Sequence, residues 1–359
     1  MGNGVTRRAF LRTAGIMAAL TGARGPGPAW ARWPIAAAHS VSTFVYGQHL
    51  VAKEQRFFED EGVALDRLFV PGSGAEVVRA LAAGQTTFAL GDSIHPLKLS
   101  EAGRDTVMLF ATDTRCPYAN LVVRKALHDQ GVRTLERLAD QALVGRRAVV
   151  AVTAIGAPTW VYGHYLLERV AGADGRPLNA SVGWVAGGDA TAMLEGLKAG
   201  RFDAIMAAPE GVWVAEGEGF GATIYDVLDG RAWARVFGGP IPVTVGYALR
   251  ETVERSPEAV QGYVSACYRA QQWIRRASDE EILELLHRPY MDAFPRAAVL
   301  RAIRYYKAIF DWGLEIDEAA YWNGMRVWSP RAIKAPAPYA AAVEMVFVRR
   351  ARQRHGAEG

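Results

Sequence analysis

Four short stretches of this 359-residue chain are rich in small hydroxyl side chains, three of them with glycine. They are 40–46, with Ser40, Ser42, Thr43 and Tyr46; 72–74, Gly72-Ser73-Gly74; 91–93, Gly91-Asp92-Ser93; and 153–159, with Thr153, Gly156 and Thr159. Glycine lets a ligand approach the backbone amides, and Ser and Thr hydroxyls add further donors and acceptors. Each stretch follows a strand-like segment, and ligands of open α/β sheets sit beyond the strand C-termini, where loop amides and helix N-termini point outward. The four loops together suit capture of a small polar or anionic group.

Signatures of bond-making chemistry are missing from the sequence. The seven histidines, at 39, 49, 95, 128, 164, 287 and 355, form no His-Glu-x-x-His run and no i, i+4 pair for a metal. There is no Gly-x-Ser-x-Gly elbow, no Gly-x-x-x-x-Gly-Lys-Ser/Thr loop and no strand-linked Gly-x-Gly-x-x-Gly. Nucleophilic catalysis, nucleotide hydrolysis and dinucleotide binding lose their usual support, and no cofactor signature is visible.

The elements that must position the loops follow from periodicity. A short apolar run at 35–40 reads as a strand, 47–61 carries Leu50, Val51, Phe57 and Phe58 at helical spacing, and Gly62 closes that helix. A strand at 63–70, a helix at 75–83 closed by Gly84, and a strand at 87–90 complete a βαβαβ pattern, the mark of a mostly parallel sheet covered by helices. The pattern restarts with strands at 148–152, 181–185 and 202–207 and helices at 159–170 and 190–199. Arg79-Ala80-Leu81-Ala82-Ala83-Gly84 and Glu195-Gly196-Leu197-Lys198-Ala199-Gly200 fill the same helix-ending slot in the two copies. Two similar α/β lobes are expected. From 256 onward helical patterns dominate, and 349–359 reads as a polar, frayed tail.

The formal net charge of +4 has a local origin. Residues 1–31 contain Arg7, Arg8, Arg12 and Arg24 and no acidic residue; without these four, the 41 basic side chains fall to 37, equal to the 37 acidic ones. The remainder has no net pull on nucleic acid. That N-terminal stretch has the layout of an export signal: Arg7-Arg8 before Phe10-Leu11, a weakly apolar run at 14–20, and small residues at Ala29 and Ala31. Thr6-Arg7-Arg8-Ala9-Phe10-Leu11 resembles the twin-arginine export motif, and the mature protein is expected in the periplasm. The apolar run is shorter than the roughly 20 residues of a membrane-spanning helix. Cys116 and Cys267 are the only cysteines, too few for a disulfide framework or a Cys-based zinc site; whether they pair with each other the sequence leaves open.

The run at 48–63, with Lys53-Glu54-Gln55 ahead of the aromatic pair Phe57-Phe58 and ending in Glu61-Gly62-Val63, resembles the first helix of the nitrate/sulfonate/taurine-type ABC transporter substrate-binding proteins, a family that also includes thiamine-pyrimidine-synthesis-like proteins. Residues 72–84 followed by Phe88-Ala89-Leu90-Gly91 resemble its next helix and strand, and Gly200-Arg201-Phe202-Asp203-Ala204-Ile205 its second-lobe counterpart. The similarity spans most of 35–250. Two positions depart from the pattern: Thr87 stands where the family often has Asp, and Gln55 lies close to where a Gly commonly precedes the aromatic pair.

The resemblance implies an α/β, bilobed periplasmic binding protein fold (type II-like), with two α/β lobes joined by two crossover strands and a helical C-terminal region. By it, 32–115 and 248–348 form lobe 1 and 116–247 form lobe 2, with crossovers near 114–123 and 242–247. A monomer would clamp a small-molecule ligand between the lobes and deliver it to an ABC permease and ATPase complex at the inner membrane. The pocket residues it implies are Ser42, Thr43, Tyr46, Ser73, Asp92, Ser93, Thr153, Gly156, Thr159, Asp189 and Glu210. Arg115, at an expected crossover, has the planar fork that pairs with a sulfonate or carboxylate, whereas Asp92 and Glu210 favour a ligand with N–H donors or positive charge. A sulfonate-like organic anion is the first reading of the ligand and a pyrimidine- or thiamine-precursor-like heterocycle the second. An enzyme of the thiamine-pyrimidine synthesis type shares the fold, but the clustered cysteines of its iron motif are not in this sequence. If the export signal is cleaved after Ala31, N-terminal sequencing of the exported protein is expected to begin at Arg32.

Overall fold

The computed structural model describes residues 35–172 and 175–356, and the expected export signal lies outside the described residues. Among the described residues ten strands form two five-stranded sheets. The first sheet contains β1 (Ile35–Ala38), β2 (Leu65–Phe69), β3 (Phe88–Asp92), β4 (Thr106–Ala111) and, from much later in the chain, β10 (Thr244–Leu249). The second contains β5 (Asn120–Arg124), β6 (Val149–Val152), β7 (Gly183–Ala186), β8 (Ala204–Ala207) and β9 (Gly221–Tyr225). The helices used below are α1 (Gly47–Glu54), α2 (Gly74–Ala82), α3 (Ile94–Glu101), α4 (Pro158–Glu168), α5 (Ala190–Lys198), α6 (Pro209–Gly217), α7 (Pro257–Arg276), α8 (Arg296–Lys307), α9 (Glu318–Trp328) and α10 (Val346–His355).

The strand orders, β2-β1-β3-β10-β4 and β7-β6-β8-β5-β9, are the same layout twice. In each, a first strand pairs in parallel with the next two (β1 with β2 and β3, β6 with β7 and β8), and one antiparallel strand (β10, β5) is inserted beside the third. That inserted strand is the first to enter its sheet after a crossing from the other lobe. The β3, β4 and β10 strands are buried along their whole length, whereas the edge strand β2 exposes Asp66 and Arg67, charges that discourage further strand addition.

The main core lies where α1 and α7 cover the first sheet. Tyr263 of α7 stacks on Phe88 of β3, with ring centroids 4.0 Å apart and planes 2° apart. A close approach is built in at Gly262: a Cβ there would lie 2.6 Å from Val63 Cγ2 and 2.7 Å from the Glu61 carbonyl oxygen.

Several sequence expectations shift. The helix expected over 47–61 is two helices, because Arg56 takes a left-handed conformation (φ 58°) before Phe57–Asp60. Such a position favours glycine, which accounts physically for the family's Gly near this point. The chain crosses between the sheets at 112–119 and 226–243. Residues 244–247, expected as the second crossover strand, do form a strand, β10, which is bonded to β3 and β4 on both sides. The expected 116–247 stretch therefore ends inside a strand of the first lobe. Within the expected first-lobe stretch 248–348, α9 packs on α4 of the second lobe, where Trp328 Nε1 donates to Tyr162 Oη at 2.9 Å and Arg331 pairs with Glu168. The tail expected to fray from 349 is helix α10 as far as His355. It is held on α7 by buried Phe347, Val348 and Ala351 and by Glu61, which meets Arg269 (3.0 Å), Arg354 (3.4 Å) and His355 (3.1 Å). Among the described residues no helix is long and apolar enough to cross a membrane.

Two substitutions with opposite signs check this packing by chemical denaturation. Arg56→Gly is expected to be neutral or stabilising by up to about 1 kcal/mol, because it relieves a left-handed residue. Gly262→Ala is expected to destabilise by about 1–3 kcal/mol, because backbone and Val63 must give way.

Candidate functional site

The C-terminal ends of β1, β3, β6 and β8 face one another across the junction of the lobes. After β1, Tyr46 Oη is bonded to Ser40 Oγ (2.8 Å) and its ring stacks on His39 at 5.0 Å. After β3, Asp92 accepts the Ile94 N–H (2.8 Å) and the Tyr118 hydroxyl, which comes from the first crossing. In the second lobe, Thr153 N–H donates to Thr159 Oγ1 (3.0 Å), and the two hydroxyls are 2.7 Å apart. Gly156, in the left-handed region at φ 80°, offers its carbonyl to Lys98 of α3 at 3.0 Å. After β8, Glu210 in the first turn of α6 accepts the Tyr306 hydroxyl of α8 at 3.3 Å. Three contacts meet at this level: Gly156 with Lys98 directly between the lobes, Asp92 with Tyr118 of the first crossing, and Glu210 with Tyr306 of the C-terminal helix α8.

Carboxyl groups dominate the electrostatics. Burial pushes Asp92 up to about 6 against the opposing hydrogen bonds from Tyr118 and Ile94. Asp113, only 2% exposed, rises to about 7 through burial, although its Oδ1 accepts the N–H groups of Val243 (3.1 Å) and Thr244 (3.0 Å); nearby Asp92 adds to the rise. Glu210 is raised to about 7 by burial of its carboxyl group. The Asp113 Oδ2 and Glu210 Oε1 atoms are shut off from solvent without a protein partner. Burial lifts the Tyr46 phenol to about 12, with Asp92 and Asp113 contributing.

The residues expected from the sequence divide into groups. Tyr46, Asp92, Thr153, Gly156, Thr159 and Glu210 are brought to the junction. Ser42 and Thr43 lie half-buried on the loop beside Tyr46; Thr43 precedes the short helix Phe44–Tyr46 without a side-chain cap bond. Ser93 is buried but turned to the second crossing, where its hydroxyl donates to the carbonyls of Pro242 and Val243. Arg115 is likewise a hinge clamp: Nη1 donates to the Val227 (3.1 Å) and Leu228 (3.3 Å) carbonyls. Ser73 and Asp189 are exposed caps of α2 and α5, accepting from Glu76 N–H (3.3 Å) and Ala192 N–H (2.8 Å). Cys116 and Cys267 are free, buried and unpaired.

Sequence reading missed Asp113, Tyr118 and Tyr306, none of which lies in a glycine-hydroxyl loop. It also missed a buried chain in which His39 Nδ1 is 3.2 Å from His49 Nδ1, and His49 Nε2 is 2.7 Å from Tyr263 Oη. His39 Nε2, at the end of β1, has no partner. Burial lowers His39 to about 3 and His49 well below the ordinary range, so both rings are neutral. Position directly after a strand was a usable signal for His39; nothing local marks the others. Among the described residues no group of His, Cys, Asp and Glu is arranged to hold a metal ion.

Two lobes of like topology, joined at a hinge and meeting through polar side chains at their strand C-termini, define a bilobed periplasmic binding protein fold. A model of the NMT1-like family matches residues 41–286, more than half of the chain, and the protein belongs to that family. The structure is similar to a protein from Bordetella bronchiseptica (TM-score 0.71, 23% identity, 90% of this chain and 98% of that one). It is also similar to the alkanesulfonate-binding protein SsuA of Xanthomonas axonopodis pv. citri bound to MOPS (0.65, 16%, 90% and 100%) and to the periplasmic nitrate-binding protein NrtA of Synechocystis PCC 6803 (0.65, 14%, 89% and 88%). Among proteins with curated functions, no sequence matches.

The raised carboxyls make stability depend on pH in a definite direction. The folded protein holds protons on Asp92, Asp113 and Glu210 at pH values where the unfolded chain has released them. Their contribution is therefore present below the ordinary carboxylate range and is lost as pH rises through about 6–7. Asp113→Asn keeps an acceptor for Val243 and Thr244 and removes the charge. Thermal melts between pH 5 and pH 8 should show a fall in stability that is smaller in this variant, by on the order of 2 kcal/mol.

Proposed function

We propose that this protein is an exported solute receptor of an ABC importer, closing its two lobes around a small flat ligand that carries N–H donors or a positive charge, such as an aminopyrimidine. The observation that carries the ligand class is Glu210 Oε1, a carboxylate oxygen between the lobes with neither solvent nor a protein partner. Leaving such an acceptor unsatisfied is costly, and a ligand N–H bonded to it recovers that cost. Asp92 on the opposite lobe offers a second carboxyl, and the stacked Tyr46 and His39 rings supply a flat apolar wall beside it. A receptor role is further supported by the state of the thiols: both are fully buried and burial pushes each upward, the opposite of what a nucleophilic cysteine needs. The periplasm, a single-chain state and delivery to a permease with its ATPase belong to the same proposal.

A sulfonate-like anion is the second reading. It is favoured by the N-terminus of α4, which has no side-chain cap bond and lies beside the Thr153-Thr159 hydroxyl pair, with Lys98 on the facing lobe. Against it stand the buried carboxyls and Arg115, whose Nη1 is already committed to backbone carbonyls.

A thermal-shift screen with aminopyrimidines, aliphatic and aromatic amines, alkanesulfonates, nitrate and aromatic carboxylates separates the two. A ligand at about 100 times its Kd adds about 2.7 kcal/mol of stability. The expected hit is an aminopyrimidine or amine whose binding weakens about tenfold or more, roughly 1.4 kcal/mol, in Glu210→Gln. A sulfonate hit that survives this substitution would replace the first reading with the second.

A further inference from the structure

A cavity of about 600 Å³ lies beside the lobe junction, and its lining includes Pro209 and Tyr305, the chain neighbours of the cleft pair Glu210 and Tyr306. That volume is within the roughly 300–1,000 Å³ of small-molecule sites. One wall is second-lobe: α6 with Trp213 and Glu216, β9, and the start of the second crossing with Asp226 and Asp229. The other wall is α8, with Arg301 and Tyr305. At the inner end Asn120, the first residue of β5, donates through Nδ2 to the Pro117 carbonyl of the first crossing (2.9 Å) and to Tyr305 Oη (3.2 Å), and its Oδ1 accepts the Val227 N–H of the second crossing at 3.0 Å, so the floor joins both crossings to α8.

The two walls carry opposite charge on exposed side chains. Glu216 Oε1 is taken by the Thr223 amide (3.2 Å) and hydroxyl (2.7 Å), Asp226 Oδ1 by the Leu228 N–H (2.8 Å), and Asp229 Oδ1 by the N–H groups of Arg231 (2.9 Å) and Ala232 (3.0 Å). None of the three forms an ion pair among the described residues, so each has an oxygen left for a cation. Across the cavity, Arg301 has no acidic partner among the described residues; its guanidinium lies over the Trp213 ring, 4.9 Å from the centroid. Arg304 beside it is already committed to Asp279 at 3.0 Å.

We propose that this cavity is a second ligand site, independent of the cleft described above, for a small zwitterion of the amino-acid type. Its ammonium group meets the carboxylates of the second-lobe wall, its acid group meets Arg301 through a charge-assisted fork, and its apolar middle lies on Trp213. A singly charged molecule satisfies one wall and leaves the other unpaired, so the site selects for both charges at once. Because α8 packs on both α6 of the second lobe and Phe44–Tyr46 of the first, and the floor touches both crossings, occupancy would favour the arrangement that holds these elements together.

The test is titration calorimetry of the full chain with L-phenylalanine, L-leucine and taurine, alongside 2-phenylethylamine and 3-phenylpropanoate as singly charged relatives of the first. At least one zwitterion is expected to bind, and phenylalanine about tenfold or more tighter than either relative. Arg301→Gln and Asp226→Asn are expected each to weaken zwitterion binding by a similar factor, while Asp92→Asn in the cleft leaves it unchanged. The proposal is overturned if no zwitterion binds at millimolar concentration, if binding survives Arg301→Gln, or if it is lost in Asp92→Asn, which would place the zwitterion in the cleft. Failure of the aminopyrimidine and amine screen would leave this outcome untouched.

Discussion

Asp113 holds the two chain crossings together. Its carboxylate, on the first crossing, accepts the N–H groups of Val243 and Thr244, where the second crossing becomes β10. The Thr112 N–H bonded to the Thr244 carbonyl (2.8 Å) and the Ile241 N–H bonded to the Thr114 carbonyl (2.9 Å) continue the same lacing. The second sheet is one continuous run of chain, β5 to β9, whereas the first lacks the strand between β3 and β4 until the second crossing has brought β10 back. A buried carboxyl group bonded to two backbone donors suits this joint, because it ties the two crossings at one point.

The polar groups of the cleft are arranged around that joint. Asp92 ends the strand that pairs with β10, and the next residue, Ser93, donates to the second crossing, so one turn of chain serves both the cleft and the hinge. Burial there has two consequences from one cause. It raises the carboxyls toward neutrality, and it makes any unpaired oxygen, such as Glu210 Oε1, a strong determinant of what the cleft accepts. The C-terminal helices add cross-lobe contacts: Tyr306 of α8 reaches Glu210, and Trp328 of α9 reaches Tyr162. The lobes are therefore joined by side chains of the C-terminal region as well as by the two crossings.

Much of this was legible before any coordinates. The repeated βαβαβ pattern matched two sheets of identical order, and the loops at 40–46, 91–93 and 153–159 all fall at strand ends at the lobe junction. Gly-Ser and Gly-Asp loops, however, look alike whether they hold a ligand or cap a helix. Ser73 and Asp189 are caps, Ser93 and Arg115 serve the hinge, and only their neighbours in space reveal the difference. The tail misled for a related reason: residues 349–355 are rich in arginine and look solvated, yet Glu61, almost three hundred positions earlier, provides the counter-charge that orders them.

The sequence by itself determined what depends on neighbours along the chain: the helices between the paired strands of each copy, most strands, the doubling of the α/β unit, and the small polar loops that end its strands. Tertiary structure alone decided what depends on partners far apart in sequence. It placed β10 between β3 and β4, joined Asp113 to Val243, set Tyr118 against Asp92 and Tyr306 against Glu210, and kept Cys116 and Cys267 apart. The physical reason is range. Periodicity and turn chemistry act over a few residues, whereas burial, and with it the protonation of the cleft carboxyls, exists only once both lobes and the C-terminal helices have closed around them.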